Sequence, residues 1–323
     1  MKQWKYLLVS CCALGLATSC GPQLPKEVPT ARVTVRVVDD DGQPVAEAKV
    51  AVVGFYNAVG KGKTDGKGCC TVTLRNASGG VDLEVDKEGF YSIYRRSYNF
   101  TDHTNGQWMP WNPTVELQLH KKSKPVPLVV KSVRGLPIPV KGQPVGYDLI
   151  GGDWVAPYGK GQTDDFVFFA ESTISNKDNF SSHLRLTFSN PGDGLILRRL
   201  FWRDDYEMRL AALAPVEGYS NQWDFVLNAK LNPATERREV ISTATDDDNY
   251  YFRVRTKQDE KGNVVSAIYG KIYYGISFDP GFWHEGRPGI SFMYYLNPDG
   301  TRNLEFDTHS NLCADPGTIS KDR

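Results

Sequence analysis

From Ala31 to Val53 the chain alternates apolar and polar positions at a spacing of two, the period of a strand with one covered face. Val33, Val35 and Val37 fall on one side, Thr34 and Arg36 on the other. Asp39-Asp-Asp-Gly-Gln43 then supplies turn residues, and Pro44, which has no N–H to give a ladder, delays the next strand. That strand sets Ala46, Ala48, Val50 and Val52 on one face and Val45, Ala51 and Val53 on the other. The pattern predicts a hairpin whose second strand is covered on both sides. Alternation returns in Cys70–Leu74, after a turn at Thr64–Gly68, in Val81–Val85, before a turn at Asp86–Tyr91, and in Val115–Leu119. Short strands spaced by turns predict a β-sandwich over residues 31–120.

Residues 121–127 are polar and rich in lysine and proline, which marks them as a linker. Beyond them the predicted strands are Thr163–Phe169, Ser182–Phe188, Tyr250–Thr256 and Val264–Tyr274, with turns at Asn190–Gly194 and Gln258–Asn263. Ile290–Leu296, the turn Asn297–Gly300 and Asn303–Phe306 predict a last hairpin. Tyr206–Ala214, stopped by Pro215, is the best helix candidate. The fold class expected is all-β: a first sandwich, then a larger antiparallel sandwich or jelly-roll over residues 128–307, and a loosely held polar tail over 308–323.

The first thirty residues have another character. Lys2 and Lys5 precede an apolar run, Tyr6–Ala17, too short to span a bilayer and suited to the core of an export signal. The run ends in Leu16-Ala-Thr-Ser-Cys20-Gly21, which resembles the lipobox of bacterial lipoproteins. That resemblance implies cleavage after residue 19 and acylation of Cys20. A plain secretory signal is the alternative. Several acyl chains on Cys20 would hold the protein to membrane lipid firmly, because one chain alone binds only marginally. By the same resemblance, the absence of Asp at position 21 implies the outer membrane. Residues 20–30, with Pro22, Pro25 and Pro29, form a short extended tether.

The whole chain of 323 residues balances 38 basic against 38 acidic residues. Loss of the leader removes Lys2 and Lys5 and no acid, which leaves the mature chain two units negative. No basic patch emerges, so a nucleic-acid partner is not expected. Of six cysteines, three lie in residues 1–20. Cys69, Cys70 and Cys313 remain, an odd number, and a Cys69–Cys313 bridge is one option. Strand periodicity turns Cys70 inward with Val72 and Leu74, and Cys69 outward.

The segments VTVRVVDDDGQPVAEAKVAV, KTDGKGCCTVTL, KEGFY and VELQL together resemble the carboxypeptidase regulatory-like family over residues 31–120. The resemblance implies a small transthyretin-like or Ig-like sandwich that serves as a spacer or as an adhesive or carbohydrate-associated module, and it implies no catalysis. The chain departs from that pattern by an aromatic insertion, Tyr98–Pro113.

In the insertion, Trp108 and Trp111 present flat apolar faces suited to sugar rings, with Asn and Asp nearby for hydroxyls, or else they plug the end of the sandwich. Trp154, Tyr158 and Trp283 are the aromatic binding candidates of the second domain. Trp283-His284-Glu285 is the most enzyme-like triplet, in a loop bounded by Pro280 and Gly289. His103, His120, His183, His284 and His309 are scattered without metal-ligand spacing, and neither GxSxG nor HExxH occurs. Asp102 with His103, and Asp246–Asn249, read as solvated turns rather than metal sites. Neither metal nor cofactor is expected. The sequence therefore predicts a non-catalytic, lipid-anchored envelope protein that binds a glycan or an envelope protein. The alternative is a glycan-active or other hydrolytic enzyme with its site in the second domain.

Overall fold

Residues 28–199, 210–245, 247–283 and 285–313 are described by the computed structural model. Cys20 and the signal lie outside them, as do Asp246, His284 and the first half of the expected helix. Among the described residues the protein is all-β, with one turn of 3-10 helix at Phe55–Asn57, and it divides into two units between His120 and Lys121.

Nine strands build the first unit: β1 Thr30–Val38, β2 Lys49–Val53, β3 Val59–Lys63, β4 Cys69–Arg75, β5 Gly80–Asp86, β6 Ile93–Asn99, β7 Asp102–Thr104, β8 Gln107–Met109 and β9 Thr114–Gln118. One sheet runs β4-β1-β8-β7 with β9 also on β1, and the other runs β3-β2-β5-β6. The hairpin expected of β1 and β2 does not form. β1 pairs with β4, β8 and β9, whereas β2 pairs with β3 and β5. A hairpin would lay the two valine faces side by side on one sheet; crossing between sheets presses Val33, Val35 and Val37 against Val50 and Val52 across one core. Only one face of β2 is buried, since Ala51 and Val53 stay half-covered.

The turns were legible for a local reason. Asp39 accepts the backbone N–H groups of Asp41 and Gln43 at 3.0 and 2.8 Å. Asp65 does the same for Lys67 and Cys69, and Asp259 for Lys261 and Asn263. In each turn the fourth residue is glycine at positive φ: Gly42 at 73°, Gly68 at 74° and Gly262 at 81°.

β9 lies parallel to β1, from Thr34 against Thr114 to Val38 against Gln118. The chain thus comes into the unit at the Thr30 end of β1 and goes out beside Val38, about 26 Å away at the rise of a strand. The insertion expected as a loop is the hairpin β7–β8, joined to β1 by the pairing of Gln107 with Thr30. Cys70 is buried, and Cys69, which is not, keeps a free thiol, so no Cys69–Cys313 bridge forms.

The second unit adds β10 Val126–Pro137, β11 Val145–Asp148, β12 Asp153–Trp154, β13 Phe166–Asn176, β14 Asn179–Thr187, β15 Gly194–Arg199, β16 Gln222–Asn232, β17 Arg237–Ser242, β18 Asp248–Gln258, β19 Val264–Asp279, β20 Gly289–Asn297 and β21 Phe306–Asn311. Two six-stranded sheets, β15-β18-β19-β20-β10-β21 and β12-β11-β13-β14-β16-β17, enclose an aromatic core around Phe166, Phe168, Phe252 and Phe292. The first of these sheets is covered on its outer face too. There Tyr251, Tyr269, Tyr273 and Tyr295 pack with Leu210, Leu304 and Phe306, so β18 and β20 are buried on both sides. Gly270 has no room for a side chain, because a Cβ would lie 2.0 Å from the ring of Phe252.

Three expectations change here. β20 and β21 do not pair as a hairpin, because β10, the first strand of the unit, lies between them, antiparallel to β20 and parallel to β21. Leu210–Ala214, the described end of the helix candidate, is not helical: Ala214 donates to the Arg302 carbonyl and Ala212 accepts from Leu304. The chain beyond 307 is not loose at its start, since Asn311 bonds both the N–H and the carbonyl of Val130 and Leu312 donates to Leu128. The linker is likewise anchored, with Ser123 and Lys124 donating to the carboxylate of Glu305 at 2.6 Å.

One buried ion cluster joins the two sheets. Arg255 sits at a bulge of β18 with φ 54° and reaches across to Asp165 at 2.7 Å and Asp148 at 2.9 Å. Asp148 also accepts the N–H groups of Ile150, Gly151 and Gln162, while Asp165 accepts that of Leu149. Burial pushes the Asp165 carboxyl up, against the pull of Arg255. For Asp148 burial acts the same way, but its backbone donors and Arg255 prevail and lower it. Breaking one partner leaves buried charge uncompensated. Arg255→Met is expected to lose about 3–5 kcal/mol in urea unfolding, and Asp148→Asn/Asp165→Asn/Arg255→Met is expected to recover most of that loss. A triple variant no more stable than the single one would contradict this account.

Candidate functional site

The outer face of β13, β14, β16 and β17 carries an open groove. Alternation along β14 buries Ser182, Leu184 and Leu186 and turns Ser181, His183 and Arg185 outward. Ser181 stands against Thr173 on β13, and on β16 and β17 Asn228 faces Ile241 while Lys230 faces Glu239. These residues, with Ser175, line a groove of about 490 Å³. The hydroxyls of Thr173, Ser175 and Ser181 make no hydrogen bond to another described residue. Opposite charges at Lys230 and Glu239 leave the groove electrically balanced.

The groove ends at Phe180, against which Phe282 packs edge-on at 5.0 Å. Asp279 accepts the backbone N–H groups of Phe282 and Trp283, at 3.1 and 3.2 Å, and so shapes the loop. Phe282 remains 39% exposed against that ring, and Trp283 is 83% exposed, the most exposed large apolar side chain described. None of the five aromatic candidates is among the residues that line the groove. Trp154 is a core residue, packed edge-on against Tyr147 and Phe168. Tyr158 is exposed in the loop closed by Asp153, whose carboxylate accepts the N–H groups of Trp154 and Lys160.

Next to the groove on the same face is a pair that sequence reading missed. His183 Nε2 lies 2.6 Å from Asp224 Oδ1, and Arg185 donates to the same oxygen at 2.8 Å. Burial opposes ionisation of Asp224, but hydrogen bonds from Gln222, Arg185 and His183 outweigh it and hold its pKa at about 2. His183 and Asp224 are far apart in sequence and meet only because β14 pairs with β16, so no local spacing announces them. Asp248 is similarly committed, to Thr245 and Arg199. Among the described residues no group of three or more His, Cys, Asp or Glu side chains is placed to hold a metal ion.

Neither a family model nor a curated protein matches the chain. Among solved structures it is similar to 3-chlorocatechol 1,2-dioxygenase from Rhodococcus opacus, at 14% identity over 29% of this chain and 60% of that one, with a TM-score of 0.24. It is also similar to BcpA, the major pilin subunit of Bacillus cereus, at 10% identity over 73% and 91% with a TM-score of 0.23. For the shaft pilin SpaA from Lactobacillus rhamnosus GG the values are 11%, 51%, 90% and 0.20. The chain spans 60% of the length of the dioxygenase. TM-scores this low carry no argument, and the reading of the site rests on its own geometry.

That geometry separates the two tryptophans of the first unit. Trp108 donates from Nε1 to the Asn76 carbonyl at 2.8 Å and packs near Phe100 and His103, as a plug does. Trp111 is exposed and stacks on no other ring among the described residues, whereas Trp108 is engaged with Asn76 and Phe100. Trp108→Ala is expected to lower stability by about 2 kcal/mol and Trp111→Ala by less than about 0.5 kcal/mol, as read by thermal unfolding. Equal effects would contradict the assignment.

Proposed function

We propose that this chain is a non-catalytic, lipid-anchored protein of the bacterial cell envelope, in which the first unit is a carboxypeptidase regulatory-like spacer and the second a glycan-binding module. Cys20 carries the lipid, in the outer membrane, and residues 21–29 join it to β1. The observation that carries the reading is the passage of the chain through the first unit from one end to the other, set by the parallel pairing of β1 with β9. A unit threaded in that way separates the tether at one end from the linker at the other.

The groove supports the second half of the reading. Oligosaccharides offer hydroxyls along their edges and apolar C–H faces, and the groove offers unengaged hydroxyls, an amide and the exposed side chain of Ile241 in one place. The hydrolytic alternative gains no support from the carboxylates. Asp148 and Asp165 are spent on Arg255, and Asp193 on the N–H groups of Arg255 and Thr256. Asp224 is too acidic for a general base near neutrality.

On an array of bacterial and plant glycans, wild-type protein is expected to bind a defined set. Ile241→Ala should weaken that binding roughly tenfold, the worth of an apolar contact of about 1.4 kcal/mol. Ser181→Trp, which fills the groove, should abolish it. Binding unchanged in both variants would refute the groove. Release of sugar product by the wild type would refute the non-catalytic reading.

A further inference from the structure

The first unit carries an aromatic tip that the glycan groove does not use. Phe55 and Tyr56 are each 52% exposed, with ring centroids 4.2 Å apart, and Val59 beside them is 46% exposed. Tyr56 and Asn57 both hold positive φ, 53° and 59°, a region that bulky residues rarely adopt. Strain of this kind persists where surrounding structure enforces it. Here the enforcing residue is Asn76, fully buried, whose Oδ1 accepts the Phe55 N–H at 2.7 Å. Gly54 is required for that contact, since a Cβ there would lie 2.6 Å from the same oxygen.

Asn76 also fixes where the chain comes in. Its backbone N–H donates to the Pro29 carbonyl at 2.9 Å, so one residue ties the aromatic tip to the start of β1. Pro29 lies nine positions after Cys20, a reach of about 30 Å when fully extended. Charge is distributed to match. The loops at this end, 54–58, 76–79 and 100–106, contain one acid, Asp102. The opposite end carries Asp39–Asp41, Glu47, Asp65, Asp86 and Glu88 against Lys49, Lys63, Lys67 and Lys87, which leaves it net acidic. An anionic lipid surface would be repelled more strongly by the second end than by the first.

We infer that Phe55 and Tyr56 insert into the headgroup layer of the membrane that holds Cys20, as a second contact that stands the first unit upright. Aromatic rings with one polar edge are favoured at that depth, and insertion of a preformed tip needs no rearrangement. The inference rests on lipidation of Cys20. Occupancy by a second copy of the chain is less favoured, because nothing at the tip complements itself in charge.

The test uses the full-length chain, produced in a bacterial host, with radiolabelled palmitate and reconstitution into phosphatidylethanolamine–phosphatidylglycerol vesicles containing a photoactivatable lipid. Cross-links are expected to concentrate in residues 54–59. Phe55→Ser/Tyr56→Ser, both exposed and so neutral to folding, should reduce cross-linking roughly tenfold while palmitate incorporation is unchanged. Palmitate on Cys20 with cross-links absent from residues 54–59, or unchanged in the double variant, would overturn the tip contact alone. No palmitate on Cys20 would overturn the anchoring reading and the tip contact with it.

Discussion

β9 lies parallel to β1, with Val35 against Val115 and Val37 against Leu117, and a parallel partner obliges the intervening chain to return to the starting end before the pair can form. In the first unit that return is made by β2 through β8, which supply the whole second sheet and the aromatic hairpin. Start and exit of the unit are therefore at opposite ends. The position of the tip beside Pro29, the acidic turns beside His120 and the proposed use of the unit as a spacer all depend on this one pairing. An antiparallel last strand would have brought His120 back beside Thr30.

The second unit is constrained differently. Its central strands β18, β19 and β20 are covered on both faces by aromatic rings, and Arg255 ties the two sheets through buried Asp148 and Asp165. A scaffold so fully satisfied inside leaves its chemistry to outward-facing positions, and those of β13, β14, β16 and β17 are hydroxyls, an amide and balanced charges. Such a face suits recognition of a neutral polar ligand by geometry rather than by charge.

Local signals in the sequence were legible and long-range ones were not. Alternation in Val33–Val37, Cys70–Leu74 and Val81–Val85 located strands because one face of each is buried, and the Asp39, Asp65 and Asp259 turns close through bonds within five residues. Partner choice was hidden. β1 with β9, and β10 between β20 and β21, are pairings across tens of residues that no periodicity encodes. The site followed the same rule. No groove residue stood out in the sequence, because His183 with Asp224, and the groove itself, exist only after β14 meets β16. Trp154 misled because a strand that ends in a buried aromatic reads no differently from one that ends in an exposed one.

The proposed anchoring stands the first unit lengthwise on the membrane. It is tested most directly by energy transfer from a dye at Asp41, on the exit end, to acceptor lipids, in full-length lipidated protein on vesicles. An upright unit puts Asp41 at least about 25 Å above the bilayer surface, the length of β1. A dye at Asp41 lying within about 10 Å of the headgroups, inside one Debye length of that surface, would contradict it.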